Sequence, residues 1–330
     1  MPRFVRSLPP TAVIIAIGAL VGVSFTLSKY VAIAGITPQV ALFWQLLVAS
    51  LVLITIAVAT GKRPSLRRRY LFYYLGAGIL GISGPALIGY TVLSHVSTGF
   101  YSALVTLSPL FTFAITALVE KRMLPAYRLI GILIGLVGIS FATHSGFELS
   151  GVAPRWIAIA LAGPLLLAMG NVFRSRAYPS DGNPMALAAG TLGLQLILIG
   201  LPVLASSHIA PGSMSGLGPI AALFGIGLIT ALSYVLTFEV QRRTDGVGFA
   251  QVGYFATLFG IGFGALAFGE PIRLTLIVAL AVLFLGLALT NGHIRLAHFR
   301  RLPPKTQAEA PLKVTRFQSS AEENKDADHQ

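Results

Sequence analysis

Gly22-Val23-Ser24-Phe25-Thr26-Leu27-Ser28-Lys29 lies near the end of the first long apolar run of the chain, and Gly170-Asn171-Val172-Phe173-Arg174-Ser175-Arg176 near the end of the sixth. Both read Gly-x-x-Phe followed closely by Ser and a basic residue, with a one-residue slip between them. A second correspondence lies farther on. The fourth run leads through Pro109 to Glu120, and the ninth through a glycine series to Gly269-Glu270-Pro271. Repeats are sought early because missing one misreads the whole fold. The two halves, 11–146 and 155–292, each hold five apolar runs. Five is odd, so a chain threading a bilayer enters its second half from the opposite side. The halves are then inverted repeats about a pseudo-two-fold axis in the membrane plane.

The bilayer itself follows from composition. Of 330 residues, 55% are hydrophobic and 11% charged, where a soluble domain carries roughly 25% charged residues. With a mean hydropathy of +0.79, a water-soluble fold would be left with more apolar surface than it could bury. A spanning helix needs roughly 20 apolar residues, because the hydrocarbon core is about 30 Å thick. The runs fall at 11–34, 39–60, 71–93, 98–119, 129–146, 155–175, 185–206, 217–240, 248–269 and 274–292. The fold class is therefore an all-α polytopic membrane protein of ten transmembrane helices. Residues 1–10 form a short cytoplasmic N-terminus. The mixed-charge stretch 293–330 reads as a disordered cytoplasmic tail.

Charge sets the orientation. With the N-terminus inside, 21 of the 24 Lys and Arg residues fall on inner segments, Arg174 and Arg176 among them. Only Arg155 and Arg273 fall outside, and Lys29 is the one basic residue well inside a run. That is the positive-inside bias, and it makes both termini cytoplasmic. The net charge of +13 is thus explained by topology. Its residues lie between apolar runs and not on one face, so no nucleic-acid partner is implied. Arg3 and Arg6 precede a run too long for a signal-peptide core, with no small-residue cleavage pattern. The absence of cysteine excludes disulfides and thiolate chemistry.

At these residues the sequence resembles the drug/metabolite transporter superfamily, specifically its ten-helix EamA-type exporters. The resemblance rests on the glycine–phenylalanine–lysine pattern ending at Lys29, on Pro109, and on Glu120 and Glu270 at the ends of the fourth and ninth runs. It departs at Val21, where tryptophan is common, and at Gln45, where arginine is common. The resemblance implies two five-helix repeats around a central cavity, efflux of small metabolites, and an inner (plasma) membrane location. The partners are then a small-molecule solute and the lipid bilayer, and the oligomeric state is left open.

Polar residues inside spans are costly and default to function. Lys29 either lines a pathway or snorkels to the interface. Gln45, Gln195 and Gln251 need amide partners, which interhelical hydrogen bonds supply more simply than a ligand. Asn171 gains weight from its place in the repeated motif. Tyr90, Tyr101, Tyr234 and Tyr254 fit interfacial belts or, as the minority reading, a solute cavity. Pro85 and Pro109 fall mid-span, where a missing backbone bond makes a hinge. The pathway candidates are Lys29, Gln45, Tyr90, Tyr101, Asn171, Tyr234, Gln251 and Tyr254. The sequence contains no phosphate loop and no His-Glu-x-x-His, so no catalytic set, cofactor or metal is expected. A membrane enzyme acting on lipid-linked substrates is the alternative; Glu120 and Glu270, on opposite sides, could not cooperate in one. A non-transporting scaffold or receptor is a third reading, for which the short loops leave little recognition surface.

The topology has a direct test. Reporter fusions after Leu66 and at the C-terminus are expected to report cytoplasm, and one near His208 the outside. An outside signal from the C-terminus would mean an odd number of spans.

Overall fold

The structure, a computed structural model, describes residues 9–121, 125–141, 152–205, 216–241 and 246–290; at 139, 238–241 and 246–251 it describes the backbone alone. The described part is helical throughout, with ten elements in chain order. These are α1 (Pro10–Ile33), α2 (Pro38–Ala59), α3 (Arg68–Val92) and α4 (Thr98–Glu120). Then come α5 (Ala126–Phe141), α6 (Pro154–Ala177) and α7 (Pro184–Ala205). The chain continues through α8 (Leu217–Gln241), α9 (Gly246–Phe268) and α10 (Leu274–Thr290). Seven are long and apolar enough to cross a membrane, and the apolar segments of α5, α9 and α10 are shorter. The proposed N-terminal segment to residue 8, the end of the fifth run beyond Phe141, His208 and the tail lie outside the described residues.

Helix boundaries follow local chemistry. Four helices begin with proline, at Pro10, Pro38, Pro154 and Pro184. Proline is favoured in the first turn because its missing N–H would be unpaired there anyway. This is why those helices start one residue ahead of the apolar runs read from sequence. Gly35, Gly61 and Gly269 leave helix ends with positive φ, the left-handed conformation that lets a chain exit sharply.

The two mid-span prolines act differently. Pro109 sits in the first turn of Ser108–Glu120, and the helix before it ends at Val105, so α4 is broken at Thr106–Leu107. Pro85 leaves α3 continuous but converts Ile79–Ser83 into a π-helical turn, closed by the Gly84 amide donating to the Ile79 carbonyl. A proline cannot donate to the carbonyl four residues back, and the wider turn absorbs the mismatch.

The packing pairs one half with the other. α1 lies against α8 and α9, and α6 against α3 and α4. α2 packs on α8, and α7 on α3; α2 also meets α7, α4 meets α9, and α5 meets α10. The helices α1 and α6 have 24 residues each, α2 and α7 have 22, α3 and α8 have 25, and α4 and α9 have 23.

Within lipid, close helix contact depends on small residues, since apolar side chains gain nothing by leaving lipid for one another. The α5–α10 contact shows the rule. A Cβ on Gly286 would stand 2.6 Å from the Gly131 carbonyl oxygen and 2.8 Å from the Gly135 Cα, both backbone atoms that cannot swing aside. Gly286→Ala is expected to force the two backbones apart and cost about 1–3 kcal/mol, read as a lower thermal midpoint of the detergent-purified protein. An unchanged midpoint would mean that this contact does not set the packing.

Candidate functional site

Lys29 sits one turn before the end of α1, and Glu270 just beyond α9. Lys29 Nζ donates to Glu270 Oε1 at 2.5 Å, each side chain being 13% exposed. The ammonium also lies over the Phe268 ring, 5.0 Å from its centre. Glu270 does more than neutralise the lysine. Its Oε1 accepts from the Thr98 amide at 2.8 Å and its Oε2 from the Gly99 amide at 3.1 Å. Ser97 Oγ accepts from Phe100 N at 3.1 Å. The three leading amides of α4, which no intrahelical carbonyl can satisfy, are therefore all paired. The carboxylate faces the positive end of α4 and the ammonium the negative end of α1, so both helix dipoles favour the pair. Gly264 makes room: a Cβ there would meet Glu270 Oε2 at 2.5 Å and Thr98 Cβ at 3.1 Å.

Glu120 ends the same helix that Glu270 begins. Its Oε1 accepts from Arg176 Nη2 at 3.3 Å, with the two side chains 39% and 45% exposed. With 23 residues in α4 and a rise of ~1.5 Å per residue, the two carboxylates stand roughly 34 Å apart. Nearby on the Glu120 side, Arg69 pairs with Asp181 in the α6–α7 connection. The Tyr70 hydroxyl, and secondarily Arg69, hold the Asp181 carboxyl below the usual carboxylate range.

Between these ends the amides find protein partners. Gln45 Nε2 donates to Thr230 Oγ1, and its Oε1 accepts from the Tyr90 hydroxyl, both at 2.9 Å, joining α2, α3 and α8. Gln195 Oε1 accepts from Ser83 Oγ at 2.8 Å, tying α7 to the π-helical turn. Tyr101 donates to the Pro85 carbonyl at 3.3 Å and meets Phe25 edge-on. Tyr90 and Tyr101 are buried, so the interfacial-belt reading is corrected for both: their hydroxyls point at acceptors within the bundle. Tyr254 meets the Phe284 ring edge-on at 5.0 Å. Asn171 Nδ2 donates to Thr112 Oγ1 at 3.3 Å. The Gln251 side chain lies outside the described residues. Thus Lys29 and Glu270 are brought together, as are Gln45 and Tyr90, while Tyr101 touches the backbone of Pro85.

Two basic residues were misplaced by the sequence. Arg174 and Arg176 belong to α6 itself and not to the connection after it, so Lys29 is not alone inside a span. The signal that could have found Arg174 is the Asn171–Arg174 spacing of three, which places both on one helix face.

The pair's energetics can be measured. Removing one partner of a largely buried ion pair strands the other, at a cost on the order of 3 kcal/mol. Lys29→Met and Glu270→Gln are each expected to lower the thermal midpoint, and the double variant by less than their sum. Strict additivity would mean that the two side chains are not coupled.

Residues 10–143 match the EamA-like transporter family. An uncharacterized transporter of Bacillus subtilis (strain 168), YvbV, is 23% identical over 298 residues, covering 87% of this chain and 93% of that one. A solved crystal structure superposes with a TM-score of 0.59 at 16% identity, covering 86% of this chain and 96% of the other, a likeness of fold alone. Residues 10–143 are thus similar to the EamA-like transporter family, and the apolar helices together with these two sequence matches support a multi-pass membrane transporter similar to the drug/metabolite transporter superfamily.

Proposed function

We propose that the protein exports small organic solutes, amino-acid-like or amphipathic, from the cytoplasm by alternating access between two inverted five-helix repeats. The observation that carries this reading is the pair of acid–base contacts at opposite ends of α4, Lys29–Glu270 and Arg176–Glu120. Each joins the end of a half's first helix to a glutamate at or just beyond the end of a fourth helix. Exchanging the halves turns one arrangement into the other. The same exchange maps the α1–α9 contact onto α6–α4, α1–α8 onto α6–α3, and α2–α8 onto α7–α3. The matched helix lengths support the repeat independently.

In this mechanism Glu270 latches the outer end by holding the α4 amides of Thr98 and Gly99. The outward-open state releases them and brings Glu120 to the start of α9, the equivalent place at the inner end. The tight, largely buried outer pair and the looser, half-exposed inner one fit a conformation with the outside closed. The broken turn at Pro109 and the π-helical turn ahead of Pro85 supply hinges, since each lacks regular backbone bonds. Both termini lie in the cytoplasm of a cell whose plasma membrane the protein spans.

Energy coupling follows from the acids. Among the described residues Glu120, Glu239 and Glu270 are the helix-associated ones, all near helix ends. A proton-driven carrier needs a titratable group alternately exposed near the midplane. Transport is therefore facilitative or by exchange. Purified protein in proteoliposomes is expected to speed equilibration and counterflow of candidate amino acids and amphipathic amines over protein-free vesicles, with no dependence on an imposed pH gradient at matched solute gradients. Uphill accumulation driven by the pH gradient would overturn the coupling claim. No flux above the protein-free rate for any of the solutes would overturn the export reading.

A further inference from the structure

Arg174 stands apart from three other basic side chains at the ends of spans. Lys29, Arg69 and Arg176 each have a carboxylate in contact, whereas Arg174 has none within ion-pair distance among the described residues. Nor does it reach for the interface. Side chains on a helix lean toward its N-terminus, and the N-terminus of α6 is at the far end of the span. The guanidinium accordingly lies back along α6, where Nη2 donates to Asn171 Oδ1 at 2.7 Å. That uses one of five N–H donors. Asn171 is held in turn by Thr112 of α4.

The wall opposite is bare. Gly81, at the middle of the π-helical turn, faces the guanidinium, and a Cβ on it would stand 3.5 Å from Arg174 Cζ. Helices α3, α4 and α6 thus meet around a cation that is partly withdrawn from water and has no carboxylate in contact among the described residues. Such a charge is costly in a span and marks a pathway by default. Its planar fork suits an oxyanion that can accept two parallel N–H bonds, a carboxylate above all.

Resting on the export reading above, we propose that Arg174, oriented by Asn171 and backed by Gly81, binds the carboxylate of the transported solute. Recognition of an organic acid or amino acid then begins at the inner end of α6, with the solute supplying a counter-charge that no carboxylate among the described residues supplies.

The test uses detergent-purified full-length protein and an isosteric probe pair, phenylacetate and phenylacetamide, at constant ionic strength made up with chloride. Binding to the folded state raises the thermal midpoint. At ten times the dissociation constant it favours the folded form about 11-fold. Phenylacetate is expected to raise the wild-type midpoint and phenylacetamide to leave it in place. Arg174→Gln should abolish the response. Asn171→Asp keeps the arginine and sets a carboxylate against it, so it should fold, match or exceed the wild-type midpoint without ligand, and no longer respond. Equal responses to the two probes, or a response retained in Asn171→Asp, would overturn the site. So would stabilisation by phosphatidylglycerol or inorganic phosphate with none by phenylacetate, because the cation would then serve a phosphate group. The readout is independent of flux: a carboxylate response without transport would leave the site standing and remove the export reading.

Discussion

The carboxylate of Glu270 holds together three elements distant in sequence. It neutralises Lys29 on α1, supplies acceptors for the leading amides of α4, and lies where Gly264 of α9 leaves no side chain in its way. A buried charge is tolerable only when it is paired and hydrogen-bonded, and here both conditions are met by groups that are themselves otherwise unpaired. Helix ends in an apolar medium need partners for their free amides. The same contact that satisfies the physics of a helix end can therefore serve as a latch, since breaking it exposes a charge and two amides at once.

Much of the fold was legible because lipid imposes a length on every crossing. Runs of apolar residues and the distribution of Lys and Arg are enough to count and orient spans, and the starts of α4, α8 and α10 agree with the apolar runs. The starts that shifted by one, at Pro10, Pro38, Pro154 and Pro184, did so because proline opens a helix where hydropathy alone reads it as punctuation. The π-helical turn at Ile79–Ser83 was not legible: Pro85 announces a disturbance, but whether it kinks, breaks or widens the helix depends on what packs there. In α3 a glutamine from α7 bonds Ser83 within that turn, whereas in α4 the disturbance at Pro109 is a break.

The candidate site was legible in part, for the same reason. Lys29, Gln45 and Asn171 could be picked out because a polar group inside an apolar run must find a partner, and Glu120 and Glu270 because each closes a corresponding run of the two halves. Which partner it finds is a matter of tertiary contact. Gln45 turned out to bridge Tyr90 and Thr230, and Lys29 to bind Glu270, 241 residues away. Arg174 was hidden by its position near a helix end, where a basic residue ordinarily reaches water. Only the direction of its side chain and the bare glycine opposite distinguish it.

Reciprocal opening of the two ends is the central claim, and the cysteine-free chain allows site-specific spin labels without background. One labelled pair, Ser94 and Ile272, spans the end closed by Glu270; the other, Thr11 and Leu118, spans the opposite end, and all four positions are exposed. Pulsed dipolar distances would be compared between the otherwise unmodified protein and Glu270→Gln. Alternating access requires the Ser94–Ile272 distribution to lengthen in the variant while the Thr11–Leu118 distribution shortens. Distances that stay fixed at both ends, or that lengthen together, would contradict it.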